Sequence, residues 1–155
     1  MKILIAGSKG GHLEQALRFV DELPNTVRWC LATDAHILVE PAPTVLTRVS
    51  NYEKRTGFIV KVLRCLRVFH ESLGMCWRER PDLLVTFGAG FCVPLAAAAR
   101  IFGIRVLHIE SWSRIRTISA TTNYMSRLRL AALIGYQYED SALVGRRNCV
   151  YIGHL

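Results

Sequence analysis

The sequence predicts an α/β fold: a Rossmann-like, doubly wound parallel sheet covered by helices on both faces. Three observations predict it. Short apolar runs alternate with longer helical patterns along the whole chain. Two of those runs, KILIA and DLLVTF, break into glycines that open a helix. No repeat, low-complexity tract or long linker interrupts the alternation, which is the pattern of a sheet wound by crossover helices. With 155 residues the chain is long enough for one domain with its own core, spanning residues 1–155.

Residues 2–6 read as a buried first strand, apolar throughout because both its faces are covered. A helix follows over His12–Leu23, with Leu13, Ala16, Leu17 and Val20 on one face and Pro24 and Asn25 to stop it. Residues 27–32 and 44–49 read as the second and third strands, Pro41 and Pro43 standing before the latter. The longest helical pattern runs from Phe58 to Arg80 and ends at Pro81. Asp82–Phe87 is the next strand, 93–102 a buried helix with Pro94 in its first turn, and 105–109 another strand. A further helix is expected over Asn123–Leu130, and the closing CVYIGHL reads as a last short strand and a tail.

Charge narrows the partners. The formal net charge of +8 asks for an anionic one: nucleic acid, acidic lipid or a phosphorylated substrate. No basic and aromatic residues interleave on a strand face and no nucleic-acid module is recognisable, so nucleic acid is not expected. The five cysteines are dispersed without CxxC spacing and read as reduced thiols. There is no carboxylate pair and no His/Cys cluster with ligand spacing, so no metal and no cofactor are expected. The apolar start is too short for a signal peptide, and no stretch approaches the roughly 18 apolar residues of a spanning helix. The chain is therefore expected to be soluble or peripheral by itself.

The first strand runs into Gly7-Ser8-Lys9-Gly10-Gly11-His12. Strand, glycine loop and helix together present backbone N–H groups and a helix N-terminus to phosphate. Lys9 and His12 stand where a dinucleotide fingerprint needs glycine, and the P-loop pattern fails as well. What remains, GxxGGH, is either a plain turn or a diphosphate cradle with His12 at its mouth. A histidine there titrates near neutrality and can take a proton from a sugar hydroxyl. A second loop, Gly88-Ala89-Gly90, also opens a helix. It is either an ordinary turn or the far side of a long anionic ligand. A third strand end supplies Glu110 and Ser111 for sugar hydroxyls or a partner, with Arg114 and Arg116 following to neutralise phosphate. Alternatively Glu110 is a loop carboxylate paired with one of those arginines.

On a helical wheel from Phe58, Lys61, Arg64 and Arg67 share one third of the circle, and Phe58, Ile59, Val62, Leu63, Cys65, Leu66 and Phe69 fill most of the rest. That suits an in-plane contact with an anionic membrane, which Arg127, Arg129, Arg146 and Arg147 would join. It suits equally a core helix with a solvated basic edge.

GSKGGHLEQ, PDLLVTFGAGFCVPLAAAARIFGIRVLHIESWSRI and the closing CVYIGHL resemble, essentially from end to end, the Alg-fourteen-like family, which includes the bacterial PssD/EpsE-type polysaccharide proteins. The resemblance implies the N-terminal half of a GT-B glycosyltransferase, similar to the acceptor half of the enzyme that makes peptidoglycan lipid II. It implies a subunit that binds a polyprenyl-diphosphate-linked sugar and recruits a donor-binding glycosyltransferase subunit, which holds the UDP-sugar. Its place would be the cytoplasmic face of a membrane. Carried over residue by residue, Gly7, Gly10, Gly11 and His12 match the loop by the acceptor diphosphate, His12 being the proposed base. Two departures stand out. Lys9 replaces a small residue and adds charge to the cradle, and Thr121-Thr122-Asn123-Tyr124 replaces the more usual Thr-Gly. Eukaryotic members carry an N-terminal membrane helix that this sequence lacks, so peripheral attachment is expected. The alternative function is a non-catalytic recruiter that enhances a complete glycosyltransferase.

Overall fold

The computed structural model describes residues 1–36, 42–49 and 57–153. Pro41, the Phe58 side chain and the closing His154 and Leu155, all used in reading the sequence, lie outside the described residues. The elements are β1 (Lys2–Gly7), α1 (Gly11–Asp21), β2 (Arg28–Thr33), β3 (Val45–Arg48), α2 (Phe58–Glu79), β4 (Leu83–Phe87), α3 (Cys92–Ile101), β5 (Arg105–Ile109), α4 (Ala120–Arg127), β6 (Leu133–Tyr136) and β7 (Cys149–Tyr151). The strands form one sheet in the order β3-β2-β1-β4-β5-β6-β7, and every pairing is parallel. The expected doubly wound α/β class is the observed one.

Alternation along each strand splits the core in two. Ile3, Ile5, Leu31, Val85, Phe87 and Ile109 face α1, meeting Leu13, Ala16 and Val20. Leu4, Ala6, Cys30, Leu84, Val106 and Ile134 face the other way, onto Val68, Met75, Leu95, Ala99 and Met125 from α2, α3 and α4. Phe87 is wholly buried, its ring centroid 5.6 Å from that of Phe19. Truncating such a side chain to Ala costs about 3–5 kcal/mol. α3 packs between α2 and α4. Ala96, Ala98 and Ala99 are buried along it, small enough to let its neighbours approach.

Two details depart from the sequence reading. β6 was not expected, and α4 begins at Ala120 rather than Asn123, where Ser119 caps it by accepting from Thr122 N. Elsewhere the differences are one or two residues at element ends. α2 stops where Arg80 takes a left-handed conformation (φ 43°), its N–H donating to the Cys76 carbonyl. Glu79, buried at that end, accepts from Arg78 Nε at 2.7 Å and from Lys2 Nζ at 2.8 Å. Those bonds hold its carboxyl below the ordinary carboxylate range, and they tie the end of α2 to the first strand. The five cysteines are unpaired. Burial raises the Cys30 and Cys92 thiols and lifts Cys76 to about 11.

Candidate functional site

The strand order reverses between β1 and β4, which are neighbours in the sheet. At such a point the loops leaving two adjacent strands part to opposite faces and open a crevice at the carboxyl edge. Here those loops are the two glycine loops. The crevice is an open pocket of about 1290 Å³. From the first loop it is lined by Ser8, Lys9 and His12, from the second by Gly88, Ala89, Gly90 and Phe91, and from the loop after β5 by Ser111, Ser113 and Arg114.

The starts of three helices meet this pocket. α1 begins beside the first loop after Gly10 (φ 87°), α3 after Phe91, and α4 after Ser119. Neither α1 nor α3 has a side-chain cap. Both starts border the space lined by Lys9, Lys61 and Arg114, and the N-terminal end of a helix carries a partial positive charge. The chemistry this favours is the binding of an anion with several oxygens.

Each predicted residue has a definite place. Gly7 is buried at the end of β1, where a Cβ would stand 2.9 Å from the His12 carbonyl oxygen. It lets α1 sit close on the strand and does not line the pocket. Gly10 and Gly11 shape the turn outside the pocket lining, and Gly11 lies under the Trp112 indole, with Nε1 3.2 Å from where a Cβ would be. Trp112 is held there by Arg18, whose Cζ is 5.0 Å from the ring centroid, and by Tyr138, whose hydroxyl donates to the Trp112 carbonyl at 2.6 Å. Gly88 has φ +62°, and a Cβ on it would stand 2.6 Å from His12 Nδ1. The Cε1 edge of the His12 imidazole thus packs directly against the second glycine loop, so the two loops are in contact.

Glu110 is a correction. It was expected on the rim, open to a sugar, or paired with an arginine. It is 2% exposed, and its oxygens accept the backbone N–H of Ser111 and of Ser119, each at 2.9 Å. One carboxylate therefore clamps both ends of the loop 111–119, which places Ser111, Ser113 and Arg114 at the pocket. Arg116 lies 3.9 Å from Asp140 instead.

The basic stripe on α2 is divided by the fold. Lys61 turns into the pocket, with Cys65 one turn further along. Arg64 is half-buried, and Arg67 pairs with Glu71 at 3.0 Å. The outward face exposes Ile59, Leu63, Leu66 and Trp77, at 73, 60, 59 and 64%, with Arg67 and His70 exposed beside them.

Sequence reading missed several residues at the site. Asp34, at the end of β2, lines the pocket and accepts from Lys9 N at 2.9 Å, which fixes the first loop. Thr121, Tyr124 and Leu128 of α4 form a wall; the signal was the Ser-x-x-Thr cap that starts that helix. His108 is fully buried below the pocket, with Nδ1 2.8 Å from Thr86 Oγ1 and Nε2 2.6 Å from Thr122 Oγ1. Ser119 donates into Thr122 at 3.0 Å. The Thr122 hydroxyl is then left to donate to Nε2, which leaves the ring proton on Nδ1. Burial, followed by the nearby charge of His12, holds His108 down to about 3, so it is a neutral link pinning α4 to β4 and β5. Among the described residues no group of three His, Cys, Asp or Glu side chains could hold a metal ion.

A parallel sheet in this order, with its pocket at the reversal point, is a Rossmann-like doubly wound domain. The family described as "Oligosaccharide biosynthesis protein Alg14 like" matches residues 52–154, more than half of the chain, and the chain belongs to that family. The UDP-N-acetylglucosamine transferase subunit ALG14 of Mus musculus is 23% identical over 179 residues, covering 94% of this chain and 82% of the mouse protein. The Rattus norvegicus counterpart is also 23% identical, covering 93% and 82%. Among solved structures, Acinetobacter baumannii MurG superposes with a TM-score of 0.77 at 16% identity, over 100% of this chain and 46% of MurG. The UDP-GlcNAc 2-epimerase of Neisseria meningitidis, bound to UDP-GlcNAc, superposes at 0.65 and 16% identity, over 90% and 41%. This chain thus spans less than half the length of either solved chain, and these likenesses show the fold.

Proposed function

We propose that this chain is the acceptor-binding subunit of a two-chain glycosyltransferase. The reaction moves a sugar from a UDP-sugar to a polyprenyl-diphosphate-linked saccharide, in exopolysaccharide, capsule or lipid-linked oligosaccharide synthesis. The observation that carries it is the pocket at the sheet reversal, where Lys9, Lys61, Arg114 and two uncapped helix starts surround His12. The name of the mouse relative, a transferase subunit, supports a donor-binding partner chain.

In this mechanism Lys9, Lys61, Arg114, Gly90 and the amides of the two loops hold the acceptor diphosphate. Arg114 and Ser111 border the acceptor sugar or the partner. The acceptor hydroxyl oxygen attacks the anomeric carbon of the donor, the bond from that carbon to UDP breaks, and the configuration inverts. His12 takes the hydroxyl proton as the new bond forms. Pressed against Gly88, its ring has little freedom, so it keeps one orientation beside the pocket. The domain attaches peripherally to the cytoplasmic face of a membrane through the outward apolar stripe of α2.

The test is co-purification with the donor-binding chain, then transfer from UDP-sugars to a polyprenyl-diphosphate-sugar. Activity should require both chains, and His12→Ala should lower turnover by about 10²–10⁴-fold. Full activity of the partner alone would reduce this chain to a recruiter.

A further inference from the structure

Among the described residues the pocket wall carries one carboxylate. Asp34, half-buried just beyond β2, lines it with Ser8 and Lys9. Its Oδ1 accepts the Lys9 N–H at 2.9 Å, which leaves Oδ2 without a hydrogen-bond or ion-pair partner among the described residues. The strongly basic side chains of the same wall are Lys9, Lys61 and Arg114. Bracing the first loop does not call for a charge, because any amide or hydroxyl oxygen accepts an N–H. A carboxylate also repels the phosphate that the three cations attract. It is an acceptor only, and it suits an uncharged donor such as a sugar hydroxyl, with which it forms a charge-assisted bond.

We infer that Asp34 is a specificity-determining residue of this site, binding one hydroxyl of the acceptor sugar through Oδ2. This rests on the reading of the pocket as a site for a sugar-bearing diphosphate. Like charges keep phosphate from settling against Asp34, so the part of the ligand that meets it is uncharged. His12 enters the pocket from the same β1–β2 side, in the first turn of α1. A sugar ring held there by one hydroxyl on Asp34 therefore lies on the side of the base that takes the proton of another. Sugars without a hydroxyl at the position Oδ2 meets leave that carboxylate unpaired and bind less well.

Calorimetric titration of the full chain compares methyl diphosphate with the 1-diphosphates of glucose, galactose and N-acetylglucosamine, ligands of like ionic charge. The best of the sugar compounds binds about tenfold or more tighter than methyl diphosphate, the increment of one charge-assisted hydrogen bond. Asp34→Asn keeps an oxygen for the Lys9 N–H and removes the charge. It brings that ratio close to one, while methyl diphosphate binds as well as before or better. In the assembled enzyme the loss in Asp34→Asn falls on the acceptor KM, raised about tenfold, rather than on kcat. Equal affinity for the sugar compounds and methyl diphosphate in the unsubstituted protein overturns the sugar contact and leaves the diphosphate reading standing. So does a ratio that Asp34→Asn leaves unchanged, whether both affinities stay or rise together, because Asp34 would then only brace the loop or act through its charge. A kcat loss as large as that of His12→Ala with KM unchanged also overturns it, since Asp34 would then act on the departing proton. Binding of none of the four ligands overturns the sugar contact and the diphosphate reading together.

Discussion

Gly88 is a glycine for two separate reasons, and a substitution there separates stability from function. Its φ of +62° strains any side chain, and the His12 ring occupies the space a Cβ would fill. The backbone term costs about 1–2 kcal/mol, which a domain of this size survives. The ring, however, must move. Gly88→Ala should therefore lower turnover of the assembled enzyme towards the level of His12→Ala while the protein remains folded; turnover near that of the unsubstituted enzyme would show that the ring position does not matter. His108 supports a different prediction. The folded protein binds its neutral form and holds it near 3, against 6.5 ordinarily. Its contribution is complete above pH 6.5 and lost as pH falls towards 3, at up to about 1.4 kcal/mol per pH unit. Glu79, also depressed, adds to acid sensitivity only below its ordinary 4.5. Between pH 7 and pH 5 the chain should lose roughly 2 kcal/mol that His108→Gln does not lose. Denaturant melts at the two pH values check this, and equal losses would remove His108 as the cause.

Elements differ in how far the sequence announced them. The glycine loops and most strands and helices were legible because apolar periodicity and Gly or Pro punctuation are local signals. β6 was not, since four residues, LIGY, with an internal glycine carry no period. The helical wheel of α2 gave correct angles but not the face that meets the sheet. Val68, Ser72, Met75 and Cys76 take that face, which turns Lys61 into the pocket and leaves the apolar stripe outside. Glu110 looked like a rim carboxylate because its two partners, the N–H groups of Ser111 and Ser119, are only brought together by the folded loop. Glu110→Gln keeps one acceptor oxygen and leaves one of those N–H groups unpaired, a loss of about 1–3 kcal/mol. Thermal melting should show it, alongside weaker acceptor binding as Ser111 and Arg114 lose their placement. The α2 stripe predicts that Leu63→Asp with Leu66→Asp abolishes sedimentation with anionic vesicles. Unchanged sedimentation of that double variant would assign the membrane contact elsewhere.

At the scale of the whole molecule, the pocket brings together residues that leave different strands of the sheet. Lys9 and Asp34 belong to the β1–β2 side, Gly88 and Gly90 to β4, Arg114 to the loop beyond β5. An anion bridging them binds the folded chain and finds no such arrangement in the unfolded one. By linkage, inorganic diphosphate at a hundred times its dissociation constant should stabilise the fold by about 2.7 kcal/mol. For a domain of this size that raises the melting temperature by roughly 5–10 °C. The formal charge of +8 complicates the measurement, because any polyanion relieves some of the repulsion among surface cations. Lys9→Ala and Arg147→Ala resolve it. Both remove one positive charge, but only Lys9 lines the pocket. A site-bound diphosphate should lose most of its stabilising effect in the first variant and keep it in the second. An equal reduction in both would mean that diphosphate acts through net charge, and the pocket would no longer support an acceptor diphosphate.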